Sequence, residues 1–460
     1  MPEFTKTSEI PVSAEEQFDW HCRPGAFERL VPPWDSIQLI TTEGVQDGSR
    51  TELHLTFGPF RQTWIAEHSS IKPGRQFIDT QLSGPFRRWV HTHSMQPVSI
   101  ESSFLTDLVY YTSPFGVVGR WLADGFIRRK LEQTFKYRHE VTARDLKFHS
   151  SWSGSPKMKI AVGGSTGMVG STLVPFLTTG GHDVSALARV GSSAGSASGI
   201  SSIEWNPADG SMDPEELEGF DAVVHLGGHN IASGRWTDRM KQRLQSSRVD
   251  STRLISQTLA KLRQPPKVFI CASAIGFYGH RDDELLTEKS PPGSRFISEL
   301  CQAWEAATAP AVEAGIRVVN LRIGVVLSAR GGALKKMLLP FKLGGGGCVG
   351  SGQQWWSWIT TDDLVRVILH SIQTESLSGP VNATAPGVIT NREFTKTLGK
   401  VLRRPTVLPM PAFAVQAAFG EMGVELMLGS TRCDSSRLVD SGFEFSYPVL
   451  EPALRHILGR

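Results

Sequence analysis

A glycine-rich turn between an apolar strand and a helix constrains this chain more than any other sequence feature. Lys159 to Val162 is typical of a short buried strand, and the run Gly163-Gly164-Ser165-Thr166-Gly167-Met168-Val169-Gly170 follows it directly. Gly164, Gly167 and Gly170 form a G-x-x-G-x-x-G pattern where the next helix begins. Glycines let a pyrophosphate approach the backbone, and the helix N-terminus offers it free N–H groups. The run therefore predicts a dinucleotide site, with a ligand-free turn as the alternative.

Short apolar strands alternate with helical segments from residue 158 onward. This alternation predicts an α/β domain of the Rossmann type, a doubly wound parallel sheet covered by helices on both faces. The predicted strands are Lys159 to Val162, Asp183 to Leu187, Asp221 to Leu226, Val268 to Ala272 and Arg317 to Arg322. The last stretch, Pro409 to Arg460, predicts a small C-terminal helical subdomain that closes the substrate pocket.

The ends of two further strands predict which nucleotide the site takes. One strand ends in Ala188-Arg189, where an enzyme that prefers NAD places a carboxylate. Arginine there favours NADP(H), whose extra phosphate it would pair with; a plain surface arginine is the alternative. Another strand ends in Leu226-Gly227-Gly228, although a tight turn without a ligand explains these glycines nearly as well. The predicted cofactor-binding residues are Gly164, Ser165, Thr166, Gly167, Met168, Val169, Gly170, Ala188, Arg189, Leu226, Gly227, Gly228 and Asn230.

The first 147 residues follow a different pattern. Phe4 to Val12 predicts a strand, and Ser13 is placed to cap a helix with Glu15 and Glu16 in its first turn. Alternating stretches such as Ser103 to Tyr110 then predict half-buried antiparallel strands. This part of the chain therefore predicts an α+β domain.

A long amphipathic stretch from 119 to 141 closes this first part. Its side chains Trp121, Phe126, Leu131 and Phe135 fall near one face, so a curved sheet wrapped around this helix is the economical arrangement. The gap between sheet and helix predicts an apolar cavity for a hydrophobic ligand, and a filled core is the alternative. The predicted rim consists of His91, His93, Arg87 and Arg88.

The length of 460 residues indicates two or three domains. A small polar run with glycine and proline, Ser150 to Pro156, predicts a boundary. We therefore predict a ligand-binding domain over residues 1–147, a linker over 148–157, a nucleotide-binding domain over 158–405 and the helical subdomain over 406–460. A second Ser/Gly-rich patch, from Gly191 to Ser202, predicts a surface loop.

Several runs beyond the glycine turn carry a family pattern: His225 to Ile231, Ala272 to Gly279, Gly331 to Leu334 and Gly350 to Asp363. In these runs, residues 158–460 resemble the atypical, epimerase-like branch of the short-chain dehydrogenase/reductase superfamily with its small C-terminal DUF1731-type domain. The first 147 residues resemble the START-like, polyketide-cyclase-type (SRPBCC) helix-grip fold in the order of their elements. The resemblance implies an NADP-binding Rossmann domain whose substrate is generally not established.

The site lacks the proton-transfer pair of that superfamily. There, the tyrosine of a Tyr-x-x-x-Lys pair is the general acid/base, and the lysine lowers its pKa. None of the five tyrosines here is followed four positions later by lysine, and the helix expected to carry the pair begins at Phe296. The catalytic residues are therefore unknown, and Ser273, Tyr278 and His229 are the candidates. A satisfied buried hydroxyl and a core aromatic are the alternatives for Ser273 and Tyr278.

Trp356 stands near the position at which relatives that bind nucleotide sugars carry an arginine. Tryptophan cannot clamp a phosphate, so a sugar nucleotide is disfavoured and a flat or apolar substrate is favoured. Tryptophans that pack one domain against another are the alternative. Asp362 and Asp363 are predicted to cap the helix that begins at Leu364.

Composition argues against several other classes of function. A formal net charge of +3 without a long basic block gives no support for nucleic-acid binding. No stretch approaches ~18 uninterrupted apolar residues, so no membrane span is predicted and a cytoplasmic location is the default expectation. The five cysteines form no C-x-x-C pair, so neither a disulfide framework nor a metal site is predicted.

These features together predict an NADP(H)-binding, epimerase-type oxidoreductase that acts on an unidentified flat or apolar small molecule. Two alternatives remain open. The missing Tyr/Lys pair motivates a non-catalytic NADPH-binding sensor or scaffold, and the family resemblance leaves room for a nucleotide-sugar epimerase or dehydratase. The sequence features do not indicate an oligomeric state.

Overall fold

The N-terminal part of the chain forms one antiparallel sheet and a long helix. The computed structural model describes residues 2–113, 116–191 and 200–460, and only the backbone of residues 57 and 116–123. The predicted loop 191–202 therefore lies mostly outside the described residues. The sheet has the strand order β1-β7-β6-β5-β4-β3-β2. Its strands are β1 (Glu3–Ile10), β2 (Ile37–Thr42), β3 (Arg50–Phe57), β4 (Phe60–Lys72), β5 (Gln76–Ser83), β6 (Arg88–Pro97) and β7 (Ser103–Thr112).

Three helices complete this domain: α1 (Ala14–Cys22), α2 (Ala26–Leu30) and α3 (Gly116–Ser150). The Ser13 hydroxyl accepts a hydrogen bond from the Glu16 N–H, which confirms the predicted cap of α1. Leu131 and Phe135 of α3 are buried, whereas Phe126 is 70% exposed. The side chain of Trp121, predicted on the same face, lies outside the described residues. The expectation that Phe126 shares the face of Leu131 and Phe135 is wrong because five residues rotate a helix by about 140°, so Phe126 points away from Leu131.

A parallel sheet with the order β11-β10-β9-β8-β12-β13-β15-β19 forms the second domain, and only β11 runs antiparallel to its neighbour. The predicted Rossmann class is confirmed. The strands of this sheet are β8 (Lys159–Gly163), β9 (Asp183–Arg189), β10 (Ser201–Asn206), β11 (Ser211–Met212), β12 (Ala222–His225), β13 (Val268–Ala274), β15 (Arg317–Ile323) and β19 (Gly379–Ala383). Short two-stranded pairs are formed by β14 (Leu285–Leu286), β16 (Val325–Leu327), β17 (Trp355–Trp356), β18 (Trp358–Thr360), β20 (Ile389–Thr390) and β21 (Arg432–Cys433).

Helices cover both faces of this sheet, and each face has its own apolar core. The helices that follow α3 as far as the end of the second domain are α4 (Gly170–Thr179), α5 (Asp238–Gln245), α6 (Ser251–Leu259), α7 (Phe296–Ala306), α8 (Ala309–Glu313), α9 (Gly332–Lys342), α10 (Thr361–Gln373) and α11 (Asn391–Leu402). The C-terminal helices are α12 (Ala412–Phe419), α13 (Glu421–Met427), α14 (Ser436–Asp440) and α15 (Leu450–Leu458). No helix in the described ranges has the length and hydropathy that crossing a membrane requires.

The tryptophans of β17 and β18 pack between the second domain and the C-terminal helices. The ring of Trp356 lies 5.2 Å from that of Phe394 in α11. The indole N–H of Trp358 donates to the carbonyl of Gly387 at 2.8 Å. Both side chains belong to a core that α9, α11 and α15 share. The packing role that the sequence left as an alternative is therefore the one these two residues have.

A buried ion-pair network, which we call the interdomain network, joins the two domains and α15. It consists of Arg29, Asp145, Asp362, Arg366 and His456. Arg29 Nε lies 2.7 Å from Asp145 Oδ2, and its Nη1 lies 3.0 Å from Asp362 Oδ1. Arg366 Nη2 lies 3.1 Å from Asp145 Oδ1, and His456 Nε2 lies 3.1 Å from Asp362 Oδ2. All five residues are at most 9% exposed, so the domains share charges that water does not screen.

The prediction that Asp362 and Asp363 cap α10 is wrong. The cap is Thr360, whose hydroxyl accepts from the Asp363 N–H at 3.0 Å, and the helix begins at Thr361. Asp362 belongs instead to the interdomain network. The Asp363 carboxylate accepts from the N–H groups of Ser446 and Tyr447 at 2.9 and 3.0 Å. Both carboxylates therefore hold other parts of the chain against the first turn of α10.

Candidate functional site

The predicted cofactor residues lie at the carboxyl edge of three neighbouring strands. β8 pairs in parallel with β9 and β12, and Gly163 lies level with Leu187 on one side and His225 on the other. The residues that follow each of these positions therefore meet at one edge. They are the glycine turn after β8, Ala188 and Arg189 at the end of β9, and Leu226 to Asn230 after β12. In open α/β sheets, ligands bind outside this edge.

Two glycines of the turn lie where backbone segments approach each other closely. Gly164 has a φ of +80°, and a Cβ there would lie 2.9 Å from the N of Gly227. A Cβ on Gly170 would lie 2.1 Å from the carbonyl oxygen of Gly164. Gly167 differs, because it is exposed and its Cβ would meet only that oxygen, at 3.2 Å. The first and third glycines therefore shape the turn, and the second leaves its outer side open.

The N-terminus of α4 faces this turn without a side-chain cap. Within the turn, the Gly167 N–H donates to the Gly164 carbonyl at 3.0 Å, and the Ser171 N–H donates to the Gly167 carbonyl at 2.8 Å. The first N–H groups of a helix have no partner inside it, and the helix dipole places positive charge there. The loop with Gly331 and Gly332 packs against Met168. These features fit a bound pyrophosphate.

Positive charge gathers beside the turn. Arg189 ends β9 and is exposed, as expected for a residue that meets a phosphate from solution. Burial lowers the pKa of His229, and the charges of Arg243, Arg248 and Arg189 lower it further. His229 Nε2 lies 3.0 Å from the Ser233 hydroxyl, and the His229 carbonyl accepts from Arg248 Nη2 at 2.9 Å.

Ser273 and Tyr278 point into a buried polar network. The Ser273 hydroxyl donates to Glu305 Oε1 at 2.7 Å, and Glu305 accepts two bonds from Arg322 at 2.8 Å each. The Tyr278 hydroxyl donates to Asn382 Oδ1 at 2.7 Å and accepts from Arg322 Nη1 at 3.0 Å. Burial raises the pKa of Tyr278. Both hydroxyls therefore have partners that hold them in the protein interior.

A cavity of about 260 Å³ opens between the carboxyl end of β13 and the C-terminal helices. Its walls are mainly apolar and include two indole rings, and a few polar groups converge on it. The lining residues include Ile275, Gly276, Ile297, Val325, Trp355, Trp356, Val424, Leu426, Leu428, His280, Arg295 and Glu425. Neither Ser273 nor Tyr278 lines it. Mostly apolar walls with a few polar groups are typical of a small-molecule site.

Glu425 of α13 is a polar group in this cavity that sequence reasoning missed. Its Oε2 accepts from the N–H of Ile297, in the first turn of α7, at 3.1 Å. Burial raises the pKa of Glu425, the bond from Ile297 opposes this, and the nearby charge of Glu421 raises it again. The protonated form of this carboxyl is therefore favoured more than it is for a glutamate in water. In the sequence, Glu421 and Glu425 are only two glutamates four positions apart on a short apolar helix. This pattern alone does not indicate a functional site.

A second and larger cavity, of about 720 Å³, adjoins the glycine turn. Ser165 and Thr166 form one part of its wall. The N-terminal domain forms another part with Phe27, Val31 and Trp34. Basic side chains from α9 and the loop before it, Lys335 and Arg330, also line it. The two domains therefore share a cavity that begins at the predicted phosphate site.

Comparison with known proteins identifies the family. The model of the NAD dependent epimerase/dehydratase family matches residues 160–383, and a domain of unknown function (DUF1731) matches residues 410–457. An epimerase family protein of Mycobacterium bovis, Mb2239, is 40% identical over 301 residues, which cover 65% of this chain and 98% of that protein. The chain belongs to this epimerase family. The N-terminal domain matches the polyketide cyclase / dehydrase and lipid transport family over residues 10–136, so the START-like resemblance is also confirmed.

Two solved structures extend the comparison. A protein from Corynebacterium glutamicum described as a nucleoside-diphosphate sugar epimerase is 33% identical, with a TM-score of 0.80, and the match covers 99% of this chain and 90% of that one. The human epimerase family protein SDR39U1, solved with NADPH, is 34% identical, with a TM-score of 0.59, over 65% of this chain and 99% of that one. The first match therefore includes the N-terminal domain of this epimerase-family chain, and the second covers only about two thirds of it.

The epimerase-family chain departs from the superfamily at α7. Phe296 stands where a tyrosine is expected. Its ring centroid lies 5.1 Å from that of Trp236, and Lys241 Nζ lies 4.8 Å from the Phe296 centroid. Leu300, one turn later, is buried where a lysine is expected. Apolar packing therefore replaces the Tyr/Lys pair at this helix.

Proposed function

We propose that this epimerase-family protein binds NADP(H) at the turn between β8 and α4 and acts as an oxidoreductase on a small, largely apolar molecule. The observation that carries the cofactor assignment is the uncapped N-terminus of α4 behind a glycine turn whose Gly167 leaves its outer side open. Arg189 at the neighbouring strand end supports the phosphorylated nucleotide. The NADPH-bound human relative supports the same choice.

In this proposal, each part of the site has one task. The amides at the start of α4 hold the pyrophosphate, and Arg189 pairs with the 2′-phosphate. When bound, the nicotinamide supplies a hydride to, or takes one from, a carbonyl or alcohol carbon. The apolar walls of the 260 Å³ cavity exclude water and orient the substrate. Glu425 holds the proton that the substrate oxygen gains or loses, a task for which its raised pKa suits it.

The chemistry of this cavity favours a flat or apolar substrate. Trp355 and Trp356 line the cavity, together with Arg295 and His280, which are cationic or hydrogen-bonding groups. Because Trp356 stands where an arginine would clamp a phosphate, we do not extend the nucleotide-sugar activity in the description of the C. glutamicum protein to this chain.

A non-catalytic NADPH sensor is the second candidate, and the partners of Ser273 and Tyr278 favour it. Two measurements separate the candidates. Fluorescence titration with NADPH tests the cofactor site, and stopped-flow mixing of the NADPH complex with a panel of flat carbonyl compounds tests the reaction. Oxidation of NADPH faster than its background supports the enzyme. Binding without oxidation across the panel favours the sensor, and absence of binding overturns both.

Replacing Arg189 by glutamate is expected to weaken NADPH binding by about 10- to 100-fold and to change NADH binding much less. The variant loses a charge-assisted bond to the 2′-phosphate, worth about 1.5–3 kcal/mol, and adds repulsion. Fluorescence titration with both nucleotides measures the difference. Arg253→Glu, at an exposed arginine of α6, is the matched control. Equal losses for both nucleotides would show that Arg189 does not read the phosphate.

Replacing Glu425 by glutamine is expected to lower the turnover found in the stopped-flow panel by about 10²- to 10⁴-fold, the usual contribution of a general acid or base. NADPH affinity should not change, because Glu425 lies outside the predicted cofactor residues. Glu444→Gln, which removes an 88% exposed carboxylate from the C-terminal part of the chain, is the matched control. Full turnover in Glu425→Gln would exclude Glu425 as the proton donor.

Polar side chains lie where the sequence predicted an apolar cavity in the N-terminal domain. His91 and His93, predicted at the rim of an apolar cavity, lie inside the domain with two aspartates, and Arg87 and Arg88 are exposed. We therefore keep no proposal of a hydrophobic ligand at this position.

A further inference from the structure

A stripe of histidines and aspartates crosses the buried face of the N-terminal sheet. Asp79 of β5 pairs in register with His68 of β4 and His91 of β6, and His93 of β6 pairs with Asp107 of β7. His139 of α3 and His21 of α1 approach the stripe from the helical side. All five of these histidines are at most 8% exposed, and Asp107 is 2% exposed. We call these seven residues the His/Asp cluster.

Apolar side chains surround the cluster. Phe77 stacks on His93 with ring centroids 4.1 Å apart, and Phe135 contacts His91 edge-on at 5.1 Å. Leu105 and Val109 of β7 are buried on either side of Asp107 along the same face. Burying two carboxylates among such groups is costly unless charge compensates them. The histidines of the cluster supply the polar partners of these carboxylates inside the apolar core.

We propose that Asp79, His91 and His93 bind a divalent transition-metal ion. One donor atom from each residue lies within 4.8 Å of the others. Asp79 Oδ2 is 3.2 Å from His93 Nε2 and 3.9 Å from His91 Nδ1. Donor atoms that share one Zn²⁺ at about 2.0–2.1 Å in a tetrahedron lie about 3.3 Å apart. The three donors are therefore close to coordination spacing without a change of strand register.

Asp107 lies on the far side of the two histidines from the proposed metal position. Its Oδ1 lies 2.9 Å from His91 Nε2 and 2.8 Å from His93 Nδ1, which are the ring nitrogens that face away from the metal position. His139 Nε2 lies 2.7 Å from Asp107 Oδ2 and holds the carboxylate in place. Histidine ligands of metals characteristically donate their second N–H to a carboxylate, which fixes the ring and raises its basicity. Asp107 is hydrogen-bonded to His91 in this position, and the same oxygen lies close to His93 Nδ1.

Charge and ligand chemistry select the class of ion. Histidines bind metal ions as neutral imidazoles, so in a metal complex the two aspartates would supply two negative charges, which one divalent cation balances. Imidazole with carboxylate suits zinc, iron and similar first-row ions, whereas calcium and magnesium prefer oxygen ligands alone. Three protein ligands leave a coordination position for water or for an oxygen atom of a small molecule. The side chain of Asp79 is 24% exposed, so Asp79 is the most solvent-accessible of the three proposed ligands.

Zn²⁺ and Co²⁺ binding to the full-length chain, stripped of metal by a chelator, tests the proposal. We expect one tight equivalent of Zn²⁺ by competition with a chromophoric chelator, and visible d–d absorption from bound Co²⁺. Asp79→Asn should weaken binding by more than about 100-fold, and Asp107→Asn by about 10- to 100-fold. The control is the double variant Glu52→Gln, His54→Asn, at a surface pair on β3, which should bind as the parent chain does.

Two measurements on the unaltered chain keep the test independent of how the variants fold. The thermal midpoint should rise with Zn²⁺ concentration, because an ion that binds only the folded state stabilises it. X-ray absorption of the zinc complex should show nitrogen and oxygen ligands at about 2.0–2.1 Å, including two imidazoles. Absence of a tight equivalent in the unaltered chain would overturn the proposal, and so would unchanged affinity in Asp79→Asn. None of these results depends on NADPH.

Discussion

Replacing Asp145 by asparagine is expected to destabilise the folded chain by about 3–5 kcal/mol, the usual cost of removing one partner from a buried ion pair. Asp145 is fully buried and binds Arg29 through two bonds and Arg366 through a third. Asparagine keeps the shape but leaves the two guanidiniums with less compensating charge. Denaturant unfolding at pH 7, followed by circular dichroism, measures the change in the free energy of unfolding.

Glu132→Gln is the matched control, because it removes an exposed carboxylate that pairs with Arg128 on α3. Surface pairs contribute little, so its effect should stay below about 1 kcal/mol. Equal effects in the two variants would contradict the importance of burial.

The effect of Asp145→Asn should also depend on pH. Burial alone would raise the pKa of Asp145, but the charges of Arg29 and Arg366 outweigh it and hold the pKa below its ordinary value. A carboxyl with a depressed pKa in the folded state stabilises that state above its unfolded pKa of about 4, and this contribution is lost as the pH falls toward the folded value. The difference between parent and variant should therefore be constant from about pH 5 to 8 and shrink below about pH 4.

The interdomain network makes deletion of the N-terminal domain an ambiguous test of that domain's role. Deleting residues 1–147 would remove Arg29 and Asp145 and leave Arg366 and Asp362 without these partners. The remaining chain would then carry buried charges without compensation, and loss of activity would report misfolding as much as loss of a ligand. Point variants such as Asp79→Asn avoid this ambiguity.

Local patterns predicted the Rossmann edge because its parts are close in sequence to the strands that carry them. Gly164, Gly167 and Gly170 lie within one turn, and Arg189 ends a strand that was visible as an apolar run. Parallel pairing then brings the ends of β8, β9 and β12 together without further information. Family resemblance named the same turn, and the structure shows why Gly164 and Gly170 carry no side chain.

Long-range contacts explain what the sequence did not predict. Glu425 meets the start of α7 across 128 positions, so no local motif could place it in the cavity. Asp362 looked like a helix cap because it precedes Leu364, and only the fold brings Arg29 to it from 333 positions away. His91 and His93 alternate on one strand face, but their aspartate partners come from neighbouring strands. Alternation alone could not tell a cavity rim from a buried cluster.

Replacing Gly167 by valine is expected to weaken NADPH binding by more than 100-fold and to leave the fold intact. The glycine is exposed, and an added Cβ would meet only the Gly164 carbonyl oxygen, at 3.2 Å, which a small shift relieves. The rest of the side chain would occupy the open side of the turn, where the pyrophosphate would lie. Losing two charge-assisted bonds to amides, at about 1.5–3 kcal/mol each, accounts for about 10²- to 10⁴-fold.

Gly170→Ala provides the contrast that makes this result interpretable. Its Cβ would lie 2.1 Å from the Gly164 carbonyl oxygen, so the turn itself must move and both stability and NADPH affinity should fall. Ser171→Ala, at an exposed position in the first turn of α4, should change neither. Fluorescence titration and thermal unfolding of all three variants separate a blocked ligand from a broken turn. Retained NADPH affinity in Gly167→Val would place the pyrophosphate elsewhere, because no ligand can share that volume with an isopropyl group.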